Sequence, residues 1–349
     1  MTALDFTFVT RLADALRLGL RPARIGLAVA LALTAAGVPL GAVAQDKPLE
    51  KVAFAGSVTW LGQVPIMVAK EKGFFREEGI DLDYLTVLSS ADRILAVTSG
   101  SAAFSNLGRG TVLAQLSRGN DNFYWFANID QAPGNEGCYA GPGMNTIADL
   151  KGKKIAANTS SEFTMDQLLK DKGIVRKDIN FIDLPPNEMV QALGKGDVDA
   201  VCVWQPFLAA AEKAVPGGKL LGTDKDTDSF KRTGTVASAD LVIIARDIVD
   251  KKPELAKRIA RAIFKGVDYT NNEPDETAKA VAHYFKQSPQ EVREGMKSFQ
   301  YPGLGNFEKH VAGQVPQMKE YAEWMLERRK ISTLPDTDKA KKTDFVTAR

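Results

Sequence analysis

A duplicated unit constrains what this chain can fold into more than any other feature. Residues 189–207 (MVQALGKGDVDAVCVWQPF) echo residues 94–109 (ILAVTSGSAAFSNLGR). Each copy opens with a helical turn closed by glycine, Gly100 or Gly196, and continues into a run of small and apolar residues that reads as a buried strand. Each then ends in a polar or aromatic loop that starts a second helix. The echo extends upstream, where residues 72–84 (KGFFREEGIDLDY) precede the first copy and residues 172–182 (KGIVRKDINFI) precede the second. Solenoids repeat many times with periods of about 20 to 50 residues. Two copies on a scale of about a hundred residues instead imply two α/β lobes of one design with a cleft between them.

The chain has 349 residues, enough for two such lobes. Its N-terminal stretch reads as a cleavable export signal covering residues 1–44. Arg21 and Arg24 lead into an apolar run that ends at the small-x-small site Ala42, Val43, Ala44, and that run is shorter than the ~20 residues a membrane span needs. The whole chain carries 45 basic and 43 acidic residues, and removing the signal leaves 41 of each, so no charge excess points to nucleic acid. No cysteine near the cleavage site suggests a lipid anchor. Two cysteines remain, Cys138 and Cys202, each in or beside an apolar strand. An oxidising compartment would allow them to pair, and two buried thiols fit the same pattern.

Strand and helix signals alternate through most of the chain, which predicts largely parallel sheets. Strands are expected at 51–56, 80–87, 102–104 and 123–127. Helices are expected at about 65–72 and 92–99. The turn-rich segment 130–137 (DQAPGNEG) reads as a crossover into a second lobe with parallel strands at 153–157, 180–183 and 200–203. The buried run 240–245 (DLVIIA) reads as the return crossover. The mostly helical remainder ends in a long amphipathic helix from about 307 to 330, assigned to the first lobe. The expected division is therefore 45–133 with 238–349 as lobe 1, and 134–237 as lobe 2. Two connections between like lobes make a hinge that closes on a ligand.

In parallel α/β sheets the ligand crevice lies beyond the carboxyl ends of the strands, where helix N-termini present free N–H groups. Four loops qualify: 57–63, 105–110, 158–164 and 204–207. The third (NTSSEFT) places Ser160, Ser161, Glu162 and Thr164 at a helix start, an anion socket or a simple N-cap. The second supplies Asn106 and Arg109, the latter either a bidentate anion clamp or a solvated charge. Trp60 and Gln63 close the first loop and Trp204 opens the fourth. The two tryptophans would converge on one ligand, or else fill the core. Phe163 and Tyr139 are weaker aromatic candidates. Asp240 opens an apolar run at the second hinge, where an unpaired carboxylate is costly to bury, so a ligand ammonium or a hinge salt bridge is expected there.

Enzyme signatures are thin. There is no Walker sequence, no GxGxxG after a strand, no GxSxG elbow and no Cys/His spacing for a metal, so neither catalytic residues, metal nor cofactor is expected. His283 and His310 lie far apart on helical segments.

On residues 105–108 (SNLG), 184–186 (LPP), 196–204 (GDVDAVCVW) and Asp240, the chain resembles the periplasmic solute-binding proteins of ABC importers in the nitrate/sulfonate/taurine family, and the taurine branch most of all. The similarity runs from about Lys51 to Lys330. It implies a two-lobed type II periplasmic-binding fold with a central ligand cleft and two hinge crossovers. It also implies a periplasmic monomer that captures a small sulfonate or amino-sulfonate and docks to a membrane permease with its ATPase. In that branch hydroxyls and amides of the second-lobe helix start hold the sulfonate, matched here by Ser160, Ser161 and Thr164. The aspartate facing the amine is matched by Asp240. This chain departs from the pattern at Arg109, where a small residue is common, at Thr59 and Trp60, where an acidic residue is common, and at Glu162, which adds a carboxylate beside the socket. The fold is shared with a thiamine-pyrimidine group, so a pyrimidine-binding subunit, an exported enzyme and a sensory binding protein are the competing expectations.

Overall fold

A computed structural model describes residues 48–158 and 161–347, so the expected export signal and Ser160 lie outside the described residues. The short apolar runs become strands interleaved with helices. Strand β1 (Glu50–Gly56) is followed by helices α1 (Val64–Glu71) and α2 (Phe74–Glu77). Then come β2 (Ile80–Thr86), α3 (Ser90–Thr98), β3 (Phe104–Gly108), α4 (Arg109–Ser117), β4 (Phe123–Ala127) and β5 (Glu136–Ala140). Next are β6 (Lys154–Ala157), α5 (Glu162–Lys170), β7 (Asn180–Asp183), α6 (Pro186–Lys195), β8 (Ala200–Trp204) and α7 (Phe207–Ala214). They lead through β9 (Lys219–Thr223) and α8 (Asp228–Thr233) to β10 (Asp240–Ala245). Helices α9 (Arg246–Lys251), α10 (Pro253–Asn272), α11 (Pro274–Phe285), α12 (Pro289–Met296) and α13 (Phe307–Glu327) complete the chain.

The strands form two five-stranded sheets, ordered β2-β1-β3-β10-β4 and β7-β6-β8-β5-β9. In the first, β1 pairs in parallel with β2 and β3, while β10 runs antiparallel to β3 and β4. In the second, β6 pairs in parallel with β7 and β8, while β5 runs antiparallel to β8 and β9. The duplicated sequence therefore produces the same strand order twice, and in both sheets the antiparallel fourth place is taken by the strand that has just crossed over. The crossings are residues 128–135 and 234–239.

Each sheet is covered because its strands are apolar on both faces. Phe54, Phe104, Trp125 and Ile243 are fully buried, and α10 lays its apolar stripe, including Ile259 and Ile263, into the same core. α10 crosses α1 so closely that a Cβ at Gly266 would lie 2.1 Å from the Pro65 carbonyl oxygen, so only glycine fits there. At the other lobe's surface, Gly196 ends α6 at φ 77°, the left-handed cap its sequence position suggested.

Three sequence expectations change. The segment 105–110, read as a loop, is strand as far as Gly108, because Ser105 satisfies its hydroxyl on the Ala55 carbonyl at 2.7 Å and needs no water. Strand β9 was not expected, because its apolar content is the short pair Leu220 and Leu221, and at the sheet edge Lys219 and Leu220 are exposed. Helix α13, assigned to one lobe, touches both. Its Tyr321 stacks on Phe163 of α5 at 4.5 Å, and its Trp324 Nε1 donates to Asp166 at 2.8 Å.

The cysteines are paired. Cys138 and Cys202 stand opposite one another in the β5/β8 ladder and form a disulfide closing a sequence separation of 64 residues. The chain-entropy model assigns such a loop about 4 kcal/mol of stability. Replacing both cysteines by serine should therefore lower the unfolding free energy of the chain by about 3 to 4 kcal/mol, measured by denaturant titration against the oxidised parent.

Candidate functional site

A cavity of about 830 Å³ opens where the carboxyl ends of both sets of parallel strands face each other. The first sheet contributes Ser57, Thr59 and Trp60 after β1 and Gly108 to Thr111 after β3; Ser90, Ala91 and Arg93 come from α3. The second contributes Trp204 at the end of β8. The crossings contribute Asn135, Ala237 and Ser238, the strands that follow them open with Glu136 and Asp240, and α13 adds Tyr321 and Trp324.

Four of the residues singled out from the sequence line this cavity: Trp60, Arg109, Trp204 and Asp240. Trp60 is fixed by an Nε1 hydrogen bond to Asp130 at 2.9 Å and an edge-on contact with Phe299. Trp204 packs edge-on against Phe207. Both rings are partly exposed rather than absorbed in the core.

Arg109 is neither a solvated charge nor free to clamp a ligand. It is 1% exposed, and its guanidinium donates to the Val236 carbonyl at 3.2 Å and to the side-chain oxygens of Gln317, Gln314 and Thr235. Burial lowers its pKa to about 10, which leaves it charged at neutral pH. It ties the start of α4 to the return crossing and to α13, and only its Nε lacks a partner.

Gln63 and Asn106 lie beneath the cavity floor. Gln63 Nε2 donates to the Asn106 carbonyl at 3.1 Å and reaches Asp240 at 3.4 Å, while Asn106 Nδ2 donates to Asp130 at 3.1 Å. They hold the carboxylates in place from behind.

The helix start of α5 is engaged elsewhere. Ser161 donates its hydroxyl to the Cys202 carbonyl at 2.7 Å. Glu162 is held by Arg176 at 3.0 Å and Lys330 at 2.7 Å; burial pushes its carboxyl up, but these two cations bring it below the usual range. Thr164 bonds Glu136. None of these three side chains lines the cavity among the described residues. The helix starts that do reach it belong to α3 and α4. The α4 N-cap is Gly108, whose missing side chain leaves the first-turn N–H groups without a side-chain cap at residues that line the cavity.

Sequence reasoning missed the buried carboxylates Asp130 and Glu136. Both flank the first crossing, and the signal that identified Asp240, an acid beside an apolar strand, was present in each. Asp130 is fully buried and raised in pKa by desolvation, against the opposing hydrogen bonds of Asn106 and Trp60. Asp240 is raised well above the ordinary range by burial and by the Asp130 charge, although Arg93 and Arg109 oppose this. Glu136 is raised by burial and by Asp224, which burial in turn raises to about 7. Arg93 is itself occupied with the Val87 and Leu88 carbonyls at 3.0 and 2.7 Å. The site is thus rich in carboxylates that have hydrogen bonds but no ion-pair partner among the described residues.

The comparisons with known proteins place this geometry. Residues 61–277 match the family described as NMT1/THI5 like, and the chain belongs to that family. A binding protein of Brucella abortus (strain 2308) is 28% identical over 265 residues, covering 75% of this chain and 79% of its own. The taurine-binding periplasmic protein of Escherichia coli (strain K12) is 26% identical over 201 residues, covering 57% and 60%. The 4-amino-5-hydroxymethyl-2-methylpyrimidine phosphate synthase THI5 of Saccharomyces cerevisiae is 25% identical over 238 residues, covering 65% and 68%. Among solved structures, the periplasmic aliphatic sulphonate binding protein SsuA from Escherichia coli superposes with a TM-score of 0.66 at 17% identity over 83% of this chain and 91% of that one. The fold is the two-lobed type II periplasmic-binding fold.

Two outcomes follow from the electrostatics. A carboxyl whose folded pKa is raised stabilises the fold fully below its unfolded value near 4, and that contribution is lost as pH rises through the folded value. The ligand-free protein should therefore melt at a lower temperature at pH 8 than at pH 5, and Asp224→Asn should narrow the difference in a calorimetric scan. Arg109→Ala leaves the Val236 carbonyl and two glutamine oxygens without their donor, so it should cost about 3 kcal/mol in denaturant unfolding.

Proposed function

We propose that this protein is the periplasmic substrate-binding component of an ABC importer. It would be exported by the signal in residues 1–44, close as a monomer on one small zwitterionic solute, and deliver it to a membrane permease with its ATPase. Taurine or another amino-sulfonate is the first candidate. The observation that carries this reading is the composition of the inter-lobe cavity, which sets the uncapped start of α4 against unpaired carboxylates between two tryptophans. An anionic group suits the helix N-terminus, and an ammonium suits Asp240 or Glu136. The sulfonate and taurine ligands named for two of the relatives support the same class.

Capture without conversion is supported by the placement of the titratable groups. His310 is buried against Asn128, and burial lowers its pKa to about 4, which suits a structural role; it does not line the cavity. The second reading is an aminopyrimidine ligand, favoured by the pairing of two indole faces with buried acids and by the yeast relative.

A thermal-shift screen tests the reading, with taurine, alkanesulfonates, nitrate, amino acids and pyrimidines as probes and mass spectrometry to check that the ligand returns unchanged. A ligand at a hundred times its Kd stabilises by about 2.7 kcal/mol, so taurine should raise Tm by about 5 °C or more. A shift with a pyrimidine and none with any sulfonate would overturn the taurine assignment, and steady product formation would overturn the binding role.

A further inference from the structure

Glu136 has no counterpart among the residues through which an anion would be held. It opens β5 and stands opposite Trp204 in the β5/β8 ladder, so its backbone is fixed to the strand that carries one of the two cavity tryptophans. The disulfide two residues further on fastens the same two strands. The side chain is 3% exposed and lines the cavity. One carboxylate oxygen, Oε1, has no hydrogen-bond partner among the described residues, while the carboxylate accepts from the Thr164 hydroxyl. The charge that acts on it is that of another carboxylate, Asp224, and no lysine or arginine forms an ion pair with it among the described residues.

A buried carboxylate oxygen without a donor costs free energy that a structure ordinarily avoids, and native proteins leave few such groups. In the same molecule the buried carboxylates remote from the cavity are satisfied: Glu162 holds Arg176 and Lys330, and Asp166 holds Arg176 and Arg328. Among the described residues two buried carboxylate oxygens lack a partner, one on Glu136 and one on Asp224, and of these two acids only Glu136 lines the cavity, where a donor arriving with the ligand completes it.

We propose that Glu136 is the specificity-determining residue of the second lobe and that it reads a protonated or hydrogen-donating nitrogen on the solute. This rests on the binding role set out above and narrows its ligand class to nitrogen-bearing solutes. An ammonium would donate to the free oxygen directly. An aminopyrimidine would offer its exocyclic amine to that oxygen. Either would bind Glu136 and the face of Trp204 together, because the ladder holds the two side by side. A sulfonate or carboxylic acid with no nitrogen would leave the buried oxygen unpaired.

Titration calorimetry on the whole protein separates the outcomes, using taurine, ethanesulfonate and 4-amino-5-hydroxymethyl-2-methylpyrimidine as probes with wild type, Glu136→Gln and Glu136→Asp. Wild type should bind a nitrogen-bearing probe in preference to ethanesulfonate. Glu136→Gln should weaken that probe by roughly 30-fold or more, the loss expected when one partner of a buried charge pair is removed, and should leave any ethanesulfonate binding unchanged. If wild type binds the pyrimidine alone and Glu136→Gln abolishes it, the assignment of Glu136 stands while the sulfonate reading falls. If taurine and ethanesulfonate bind wild type equally and Glu136→Gln changes neither, Glu136 is not the reader, although the sulfonate reading stands. Failure of every probe to bind wild type overturns both. Should Glu136→Gln not fold, Glu136→Asp decides: a loss confined to nitrogen-bearing probes supports the proposal, and an equal loss across all probes overturns it.

Discussion

Two carboxylates buried side by side where the chain crosses between its sheets set the terms for everything around them. Asp130 leaves the first sheet and Asp240 re-enters it, and a single side chain, Asn128, donates to the backbone carbonyls of both. Burial raises the pKa of both, the Asp130 charge raises that of Asp240 further, and the surrounding polar groups answer that cost. Asn106 and Trp60 bond Asp130, Gln63 reaches Asp240, and the charges of Arg93 and Arg109 oppose the shift from further off. The hinge is consequently a dense polar knot rather than a flexible linker, and the cavity is its upper surface.

The fold was legible in the sequence because its strands are buried on both faces. Residues 52–56, 200–203 and 241–245 are uninterrupted apolar runs, and the repetition of one unit made the strand order a single problem solved twice. The turn-rich 130–137 marked a crossing for the same reason that turns mark any chain reversal. What was not legible depended on partners distant in sequence. Arg109 finds its acceptors 126 to 208 residues away, so nothing near it distinguishes a buried tie from a ligand clamp. Ser105 and Asn106 looked like loop residues because polar side chains in a strand are expected to meet water, and here they meet backbone and carboxylate instead. Trp60, Trp204 and Asp240 were found because position alone, at strand ends, brings them to the cleft. Glu136 obeyed the same rule and was passed over because the turn around it dominated the reading.

The two lobes share a strand order and differ in what they offer. The first presents the uncapped start of α4 together with Trp60 and Asp240, and the second presents Glu136 beside Trp204. Each lobe thus offers an acid and an indole, and the first adds a helix start.

Helix α13 adds a third, non-covalent attachment between the lobes. Trp324 and Arg328 grip Asp166 of α5, while Ser229 of α8 bonds Glu320 of α13. Any shift of α5 relative to α13 has to break the Phe163–Tyr321 stack and the grip on Asp166 together, so resistance to relative movement of the two sheets is written into the last long helix as well as into the crossings.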